Sequence, residues 1–453
     1  MTRGYSQCLR LSVPVLMTAA TLALAACGSA GANAPDLTPT ASSVSAGVAG
    51  VNGATASAAC AAKTKKLTFY GVAALNDAAK AGKAYMENAH PGLTVDLRTS
   101  APSYSDVVQQ IHADLTAHQQ VDVAVASFNL LPEFAQQFNA KPFSGAVLRS
   151  TYDLRFLPLG QVSGKQIGIP EQVSMPVLVY NADVLAKAGV DPSTLKTTDG
   201  VLAAATKIKI AYPGIQPIDL PTGDEFGQWY LNSLATSKGS SIQNADGTPN
   251  VDSSAAQQAA RFLAAVGRFG AQSDDPTTTS LLRFGVQRQT AMVAASLAAV
   301  GPGLKFVESQ GAKGFKIGVV PFPTLPGGTL RPVSGGNALT VLSTDSCHQE
   351  MARELIASLL APAVVAASVE AVSYLPVDSA ALASLSGYYQ RYPQLAQFNA
   401  LAGSLAKVPQ WPGTRGGEVP QELTDQVIRI MRGADPAGTL ANAQTTTRQL
   451  TKS

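Results

Sequence analysis

The sequence predicts an α/β protein in which helices cover sheets of mainly parallel strands. Segments with strand-like patterns alternate with segments of helical periodicity from residue 65 to residue 126, and the alternation resumes in the second half of the chain. Consecutive strands separated by a helix are joined by crossovers, which build parallel sheets and are right-handed. Hydrophobic residues make up 46% of the 453 residues, enough for a large core divided over two or three domains.

The predicted elements of the first half follow one another at short intervals. A Pro91-Gly92 turn separates the first helix from the second strand, and residues 121–126 are apolar enough for a strand buried on both faces. The predicted strands are 65–70, 93–97 and 121–126, and the helices between them are 73–88 and 103–117.

The second half alternates in the same way. Apolar stripes predict helices at 253–269 and around 351–359, and the tail, 418–452, is expected to form one or two surface helices divided near Gly433. Further strands are predicted at 166–179, with breaks at Pro170 and Pro176, and at 292–295, 315–320 and 338–342.

Charge and motif content exclude several classes of protein. The chain has 33 Lys+Arg against 30 Asp+Glu, which is too balanced for a highly basic nucleic-acid binder or an acidic disordered protein. It lacks the His-Glu-x-x-His and Cys-x-x-Cys metal motifs, phosphate-binding glycine loops and the Gly-x-Ser-x-Gly elbow of hydrolases. We therefore expect no metal, no cofactor and no catalytic centre.

The N-terminal 62 residues have the composition of a targeting and attachment segment. Arg3 and Arg10 precede an uncharged stretch that ends in Leu24-Ala25-Ala26-Cys27, which resembles the lipobox of bacterial lipoproteins. We expect residues 1–26 to be removed as a signal peptide and Cys27 to carry lipid, which anchors the protein to the bacterial cell membrane outside the cytoplasm. A plain signal peptide that ends near a cysteine is the alternative. Residues 27–62, rich in Ser, Ala, Gly and Thr, are expected to form a flexible tether.

The cysteines predict a disulfide. If Cys8 leaves with the signal peptide and Cys27 carries lipid, Cys60 and Cys347 remain as a pair in an oxidising compartment. A bond between them would close a loop over most of the chain, for which the chain-entropy estimate is roughly 4 to 5 kcal/mol. Two buried free thiols are the alternative.

The middle of the chain carries a family resemblance. Residues 165–181, KQIGIPEQVSMPVLVYN, and the following 183–192 look like the central segment of family 1 extracellular solute-binding proteins. The other matching segments occur in the order typical of the family: 289–293, 315–323, 335–339, 373–377 and 412–416. Together they span nearly all of the chain after the tether, and the last two resemble the sugar and glycerol-3-phosphate-binding branch.

This resemblance implies a periplasmic-binding-protein-like fold of type II, in which two α/β lobes close about a hinge on a ligand between them. By analogy the N-terminal lobe is 63–172 plus 333–362, and the C-terminal lobe is 173–332 plus 363–453. The implied function is that of a monomeric substrate-binding lipoprotein of an ABC importer. It would capture a carbohydrate or a polyol phosphate, of the glycerol-3-phosphate or glycerophosphodiester type, and pass it to ABC permease subunits. A secreted carbohydrate-active enzyme and a solute sensor without transport are the alternatives.

Strand ends and crossing segments supply most of the candidate ligand residues. Ligands of open α/β sheets bind at the carboxyl ends of strands, which favours Tyr70 after the first strand and Ser127 and Asn129 after the third. The alternative for these three is a plain loop residue. The crossing segments add, by resemblance, Ser174, Gly336, Asn337 and Tyr374. Here the alternatives are a hydroxyl bonded to backbone for Ser174, an ordinary turn glycine for the Gly336-Asn337 pair and a core tyrosine for Tyr374.

Aromatic and charged candidates complete the site. Trp411, flanked by prolines, is a candidate platform for a sugar ring, with surface packing as the alternative. Arg415 is a candidate for binding a phosphate or a pair of hydroxyls, with a solvated loop arginine as the alternative. Asp224 and Glu225 are candidate acceptors for ligand hydroxyls, candidate carboxylates of the enzyme alternative, or caps of a helix in which Trp229 packs into the core. The 6% aromatic content argues against a groove for long oligosaccharides.

Overall fold

The structure is a computed structural model and describes residues 55–143, 148–223, 225–270 and 274–452. The expected signal peptide, the expected lipid attachment at Cys27 and most of the expected tether lie outside the described residues. The same is true of Asp224.

Strands and helices alternate along the described chain, as the sequence predicts. The strands are β1 (Lys66–Val72), β2 (Thr94–Ala101), β3 (Val123–Ser127), β4 (Gln161–Val162), β5 (Lys165–Gln166), β6 (Gly168–Ser174), β7 (Pro176–Asn181), β8 (Gln216–Asp219), β9 (Thr290–Ser296), β10 (Ile317–Pro321) and β11 (Gly335–Val341). The α-helices are α1 (Ala58–Lys63), α2 (Asn76–Ala89), α3 (Tyr104–Thr116), α4 (Leu131–Gln136), α5 (Ala182–Lys187), α6 (Thr198–Ala211), α7 (Phe226–Ser237), α8 (Ser254–Gly267), α9 (Thr277–Gly285), α10 (Val300–Ser309), α11 (Ser346–Leu359), α12 (Pro362–Val372), α13 (Ser379–Ser384), α14 (Ser386–Arg391), α15 (Pro393–Ala396), α16 (Val419–Met431) and α17 (Pro436–Leu450). The 3-10 helices are Ala73–Leu75, Leu154–Gly160, Pro192–Lys196, Leu297–Ala299, Gly311–Lys313, Gln397–Ser404 and Gly416–Glu418.

The two main sheets are mixed rather than mainly parallel. In the first, ordered β2-β1-β3-β11-β6, the strands β1, β2 and β3 are parallel, whereas β11 is antiparallel to both of its neighbours. In the second, ordered β10-β7-β9-β8, only β8 and β9 are parallel. The expectation of a mainly parallel sheet is therefore wrong beyond the first three strands. β11 enters the first sheet at the edge where β3 ends, since Asn337 pairs with Ser127, and so it runs in the opposite direction.

Helices cover both sheets and define two lobes. The N-terminal lobe is the first sheet with α2, α3, α4 and α11, and the C-terminal lobe is the second sheet with α6, α7, α9 and α10 and the helices packed on them. The chain passes between the sheets at Met175, the single residue between β6 and β7, and again between β10 and β11. A third passage follows α12, where the Leu375 N–H donates to the Val173 carbonyl at 2.8 Å. The residue boundaries given above for the two lobes stay a prediction.

The last residues assigned to the tether belong instead to the folded lobe. The Ala56 N–H donates to a carboxylate oxygen of Glu354 at 2.8 Å, and the Ser57 hydroxyl donates to Glu350 at 2.8 Å. α1 follows directly, and its Cys60 is bonded to Cys347 at the start of α11. A flexible tether therefore ends before residue 56, because a buried carboxylate far away in sequence accepts the backbone of this segment.

The C-terminal tail forms two helices, α16 and α17, that are more than surface elements. Val427 of α16 and Leu440 of α17 are fully buried, and the helices pack on α7 and α8.

No single helix of the described residues is long and apolar enough to cross a membrane. The pair α11 and α12, bent by 58° at their junction, meets that test together, by length and composition only.

Reduction of the Cys60–Cys347 bond should lower the stability of the protein. The bond closes a loop with a sequence separation of 287 residues, and the chain-entropy model predicts a loss of up to about 5 kcal/mol of unfolding free energy. Urea unfolding with and without reductant measures it. A Cys60→Ser, Cys347→Ser double variant is the control and should not respond to reductant. An unchanged unfolding midpoint for fully reduced wild type would contradict the prediction.

Candidate functional site

Strand ends from both sheets meet where the chain crosses between the lobes. β6 ends at Ser174 and β9 ends at Ser296, and the two hydroxyl oxygens are 2.6 Å apart. One hydrogen bond therefore joins the carboxyl edge of the first sheet to that of the second. This is the edge at which open α/β sheets bind ligands. The predicted residue Ser174 is buried here, with its hydroxyl satisfied by a side chain rather than by backbone.

The loop after β3 contacts the C-terminal lobe twice. The Ser127 hydroxyl donates to Asn129, and the Asn129 side-chain amide donates to Glu225 Oε2 at 3.3 Å. The Phe128 carbonyl accepts a hydrogen bond from the Gln410 side chain at 3.1 Å. The structure thus brings the predicted residues Ser127 and Asn129 together at the junction of the lobes.

A groove of about 330 Å³ lies beside these contacts and is called the interlobe groove. Three of its lining side chains are carboxylates, Glu133, Glu225 and Glu418, and one is a cation, Arg415. The groove is lined by Ser105, Val108, Gln109, Leu130, Glu133 and Gln137 from the N-terminal lobe and by Glu225, Thr414, Arg415, Gly417 and Glu418 from the C-terminal lobe.

The cation of the interlobe groove is already paired. The Arg415 guanidinium donates to both carboxylate oxygens of Glu418, each at 2.7 Å, while its side chain is 62% exposed. The hydrogen bonds from Arg415 lower the pKa of the Glu418 carboxyl, so that the pair is ionic at neutral pH. The other two acidic residues of the described lining also have partners: Glu133 Oε1 lies 3.4 Å from His112 Nε2, and Glu225 Oε2 accepts from Asn129.

Four side chains form a hydrogen-bonded group, called the crossing network, behind the strand ends. The Asn337 side-chain amide donates to the Tyr104 hydroxyl and to the Gln172 side-chain oxygen, both at 3.0 Å. Tyr104 is also hydrogen-bonded to Tyr374. Burial raises the pKa of both tyrosines, so both hydroxyls remain neutral. The crossing network joins the start of α3, β6, β11 and the segment after α12, and it contains the predicted residues Asn337 and Tyr374.

Glu171 lies next to the crossing network and is 6% exposed. Its Oε2 atom has no hydrogen-bond partner among the described residues. Burial raises the pKa of its carboxyl to about 8, because an ionised carboxylate loses its hydration there. Glu171 is therefore mainly a neutral acid at pH 7.

Two of the predicted residues have structural roles. Gly336 has φ 110°, and an added Cβ would lie 1.9 Å from the Gln172 carbonyl oxygen, so glycine is required by the close approach of β6. Trp411 is 2% exposed, and its indole nitrogen has no partner among the described residues. In this arrangement Trp411 is a buried ring rather than an open platform.

Tyr70 lies away from the site. β1 continues to Val72, so Tyr70 does not end the strand, and its ring is fully buried. Its hydroxyl donates to Asp114 at 2.9 Å, near the end of α3 and thus at the opposite edge of the sheet. Burial, and then this hydrogen bond, raise the pKa of Tyr70. Tyr70 is therefore a core tyrosine, which neither the ligand role nor the alternative of a plain loop residue predicted.

The predicted site residues did not include Tyr104, Glu171, Gln172, Ser296 or Gln410. Three of these carried a usable signal. Tyr104 begins a helix directly after a strand, Ser296 follows the predicted strand 292–295, and Glu171 is an acid inside a strand whose every residue is buried. Gln172 and Gln410 carried none, because their partners are distant in sequence. Trp229 is buried as expected, and its indole N–H donates to the Val333 carbonyl at 3.0 Å.

Comparisons with solved structures agree with this architecture. The cyclic α-maltosyl-1,6-maltose binding protein of Arthrobacter globiformis superposes with a TM-score of 0.69 at 18% identity, covering 86% of this chain and 99% of that one. UgpB of Mycobacterium tuberculosis, solved with glycerophosphocholine, superposes with a TM-score of 0.70 at 18% identity, covering 84% of this chain and 97% of that one. The fold is that of the type II periplasmic sugar-binding proteins, as the resemblance implied.

Sequence comparison leads to the same family. A curated binding protein of Brucella abortus (strain 2308) is 25% identical over 339 residues, which are 73% of this chain and 79% of the relative. The sequence profile described as bacterial extracellular solute-binding protein matches residues 70–366. These proteins bind substrates and are not enzymes. The match spans well over half of the sequence and includes β6, β7 and β11, so the chain belongs to the family of bacterial extracellular solute-binding proteins.

Proposed function

We propose that the protein is the lipid-anchored substrate-binding subunit of an ABC importer and captures a carbohydrate between its lobes. The interlobe groove carries this proposal, because both lobes line it and one of its lining residues, Glu225, accepts a hydrogen bond from Asn129 of the other lobe. Closure would bury the solute, and the closed form would dock on ABC permease subunits. Lipid on Cys27 would hold the protein at the membrane.

The charges of the interlobe groove favour a neutral polyhydroxylated solute. Carboxylates such as Glu133 and Glu225 accept hydrogen bonds from sugar hydroxyls, whereas they repel a phosphate. A polyol phosphate is the second candidate, because Arg415 would bind it bidentately after release from Glu418. The structural similarity to UgpB of Mycobacterium tuberculosis, which was solved with glycerophosphocholine, supports this second candidate.

A thermal-shift screen of the protein tests the proposed function. The panel contains mono- and disaccharides, polyols, glycerol-3-phosphate and glycerophosphodiesters. A solute at about 100 times its dissociation constant should stabilise the protein by about 2.7 kcal/mol. We expect a saccharide to give the largest shift. Hydrolysis of a glycoside in the same samples would contradict the proposal and support the enzyme alternative.

Substitution of Arg415 by alanine separates the two solute classes. Since Arg415 is exposed and paired with Glu418, its loss should leave the affinity for a carbohydrate within about twofold. A phosphate ligand held by Arg415 would lose about 10- to 100-fold, the range for a hydrogen bond to a charged group. Titration calorimetry measures both. Arg391→Ala, which removes another exposed arginine paired with one glutamate, is the matched control.

An aspartate in place of Asn129 should oppose closure. The new carboxylate would face Glu225, and repulsion between the charges should weaken solute affinity by about tenfold. Asn88→Asp, at an exposed position of α2, adds the same charge elsewhere and should bind like wild type. Calorimetric titration with the solute found in the screen measures the difference. Equal affinities for the two variants would contradict a role of this contact in closure.

A further inference from the structure

The Glu171 carboxyl has no part in the ligand contacts proposed above, and its position is unusual for an acid. It belongs to β6, two residues before Val173, which is hydrogen-bonded to Leu375 of the last crossing segment. Its Oε2 atom has no partner among the described residues, although only 6% of the residue is exposed. A buried polar atom without a partner in a native fold requires a physical explanation.

The carboxyl borders a cavity of about 10 Å³, which is room for about one water molecule. Besides Glu171, the described polar lining consists of Ser368 from α12 and Tyr374 from the segment after it, and the other walls, from α11, α12 and Leu375, are apolar. The titratable groups that face Glu171 are the hydroxyls of Tyr374 and, from α3, Tyr104. Among the described residues that line the cavity there is no lysine, arginine or histidine.

These surroundings stabilise the neutral acid over the carboxylate. An ion in an apolar cavity loses its hydration, and no cation borders this cavity to compensate. The pKa of Glu171, about 8, is raised for this reason. The neutral acid fits the cavity as it stands, whereas the carboxylate requires that water enter.

The walls of the cavity include elements that pass between the lobes or contact both of them. β6 continues into the C-terminal lobe through Met175, and the segment after α12 is the last crossing. α12 itself contacts α2 of the N-terminal lobe and α10 of the C-terminal lobe. Rotation of the C-terminal lobe together with α12 would shift this helix against β6 and open the cavity to solvent.

We propose that lobe closure is coupled to protonation of Glu171: the closed arrangement seals the neutral acid in its cavity, and opening admits water and lets the acid ionise. The inference rests on the proposed capture of a solute by closure. In the open form the carboxyl is hydrated, and its pKa returns toward the ordinary 4.5. Between that value and about 8, each closure takes up one proton from solvent. The closed form is consequently favoured at low pH. Its population falls as pH rises from 4.5 to about 8, and above about pH 8 the balance between open and closed forms no longer depends on pH.

Small-angle scattering of the full, unliganded protein between pH 5 and pH 9 tests the coupling. The ratio of open to closed protein should rise by up to tenfold per pH unit until about pH 8 and then level off. Glu171→Gln, a neutral isostere, should remain closed over the whole range. Glu370→Gln removes a partly exposed carboxyl of α12 that does not line the cavity and should behave like wild type. A wild-type radius of gyration that does not change with pH, or a Glu171→Gln variant that opens like wild type, overturns the proposal.

A second measurement needs no variant. Calorimetric binding of the solute found in the screen, at pH 7 in two buffers of different ionisation enthalpy, should give heats that differ by the uptake of up to one proton. Equal heats would overturn the coupling while leaving the proposed function intact. If no solute binds but scattering follows pH as expected, the proposed function fails, and the coupling remains only as a property of lobe closure without a solute.

Discussion

The run from β6 to β7 imposes the main constraint on the structure. It is nearly continuous, with only Met175 between the strands, yet β6 pairs in the first sheet and β7 in the second. The carboxyl edges of both sheets must then face each other at this point, which brings the Ser174 and Ser296 hydroxyls within 2.6 Å. The direction of β11 and the positions of Ser127 and Asn129 follow from the same constraint, because β11 can rejoin the first sheet only from that edge.

Polar residues at this junction divide into two groups with different consequences. The charged residues of the interlobe groove are exposed or half-buried and come from both lobes, so they can exchange hydrogen bonds with a solute. The crossing network and Glu171 lie deeper and connect the segments that move when the angle between the lobes changes. The contacts proposed for the solute and the proposed protonation of Glu171 therefore involve different side chains, although both would act through closure of the lobes.

The sequence predicted the features that depend on local pattern. Strands and helices could be inferred because periodicity and composition act over short windows, and the crossing segment could be recognised from one continuous motif. The disulfide partners, although distant, could be inferred because counting the cysteines left one pair. Other features set by distant partners could not be inferred. The Ala56 backbone is held by Glu354, 298 residues away, so the folded region begins earlier than composition suggests. The wrong prediction for Tyr70 had a local cause. The predicted strand ends at residue 70, two residues before the end of β1, so a core tyrosine was predicted to lie at the carboxyl edge of the sheet. The pairing of Arg415 with Glu418, three residues on, is the one site feature that spacing alone could have revealed.

The N-terminal segment is attached to one lobe by the Cys60–Cys347 disulfide and by Glu354, and this attachment has a mechanical consequence. Cys60 precedes the start of β1 and Cys347 follows the end of β11, so the bond between them lies at the edge of the first sheet opposite to the crossing. A pulling force on the chain before residue 55 would act on the N-terminal lobe through this bond and through Glu354. Neither contact involves the C-terminal lobe, so neither restrains the rotation of that lobe.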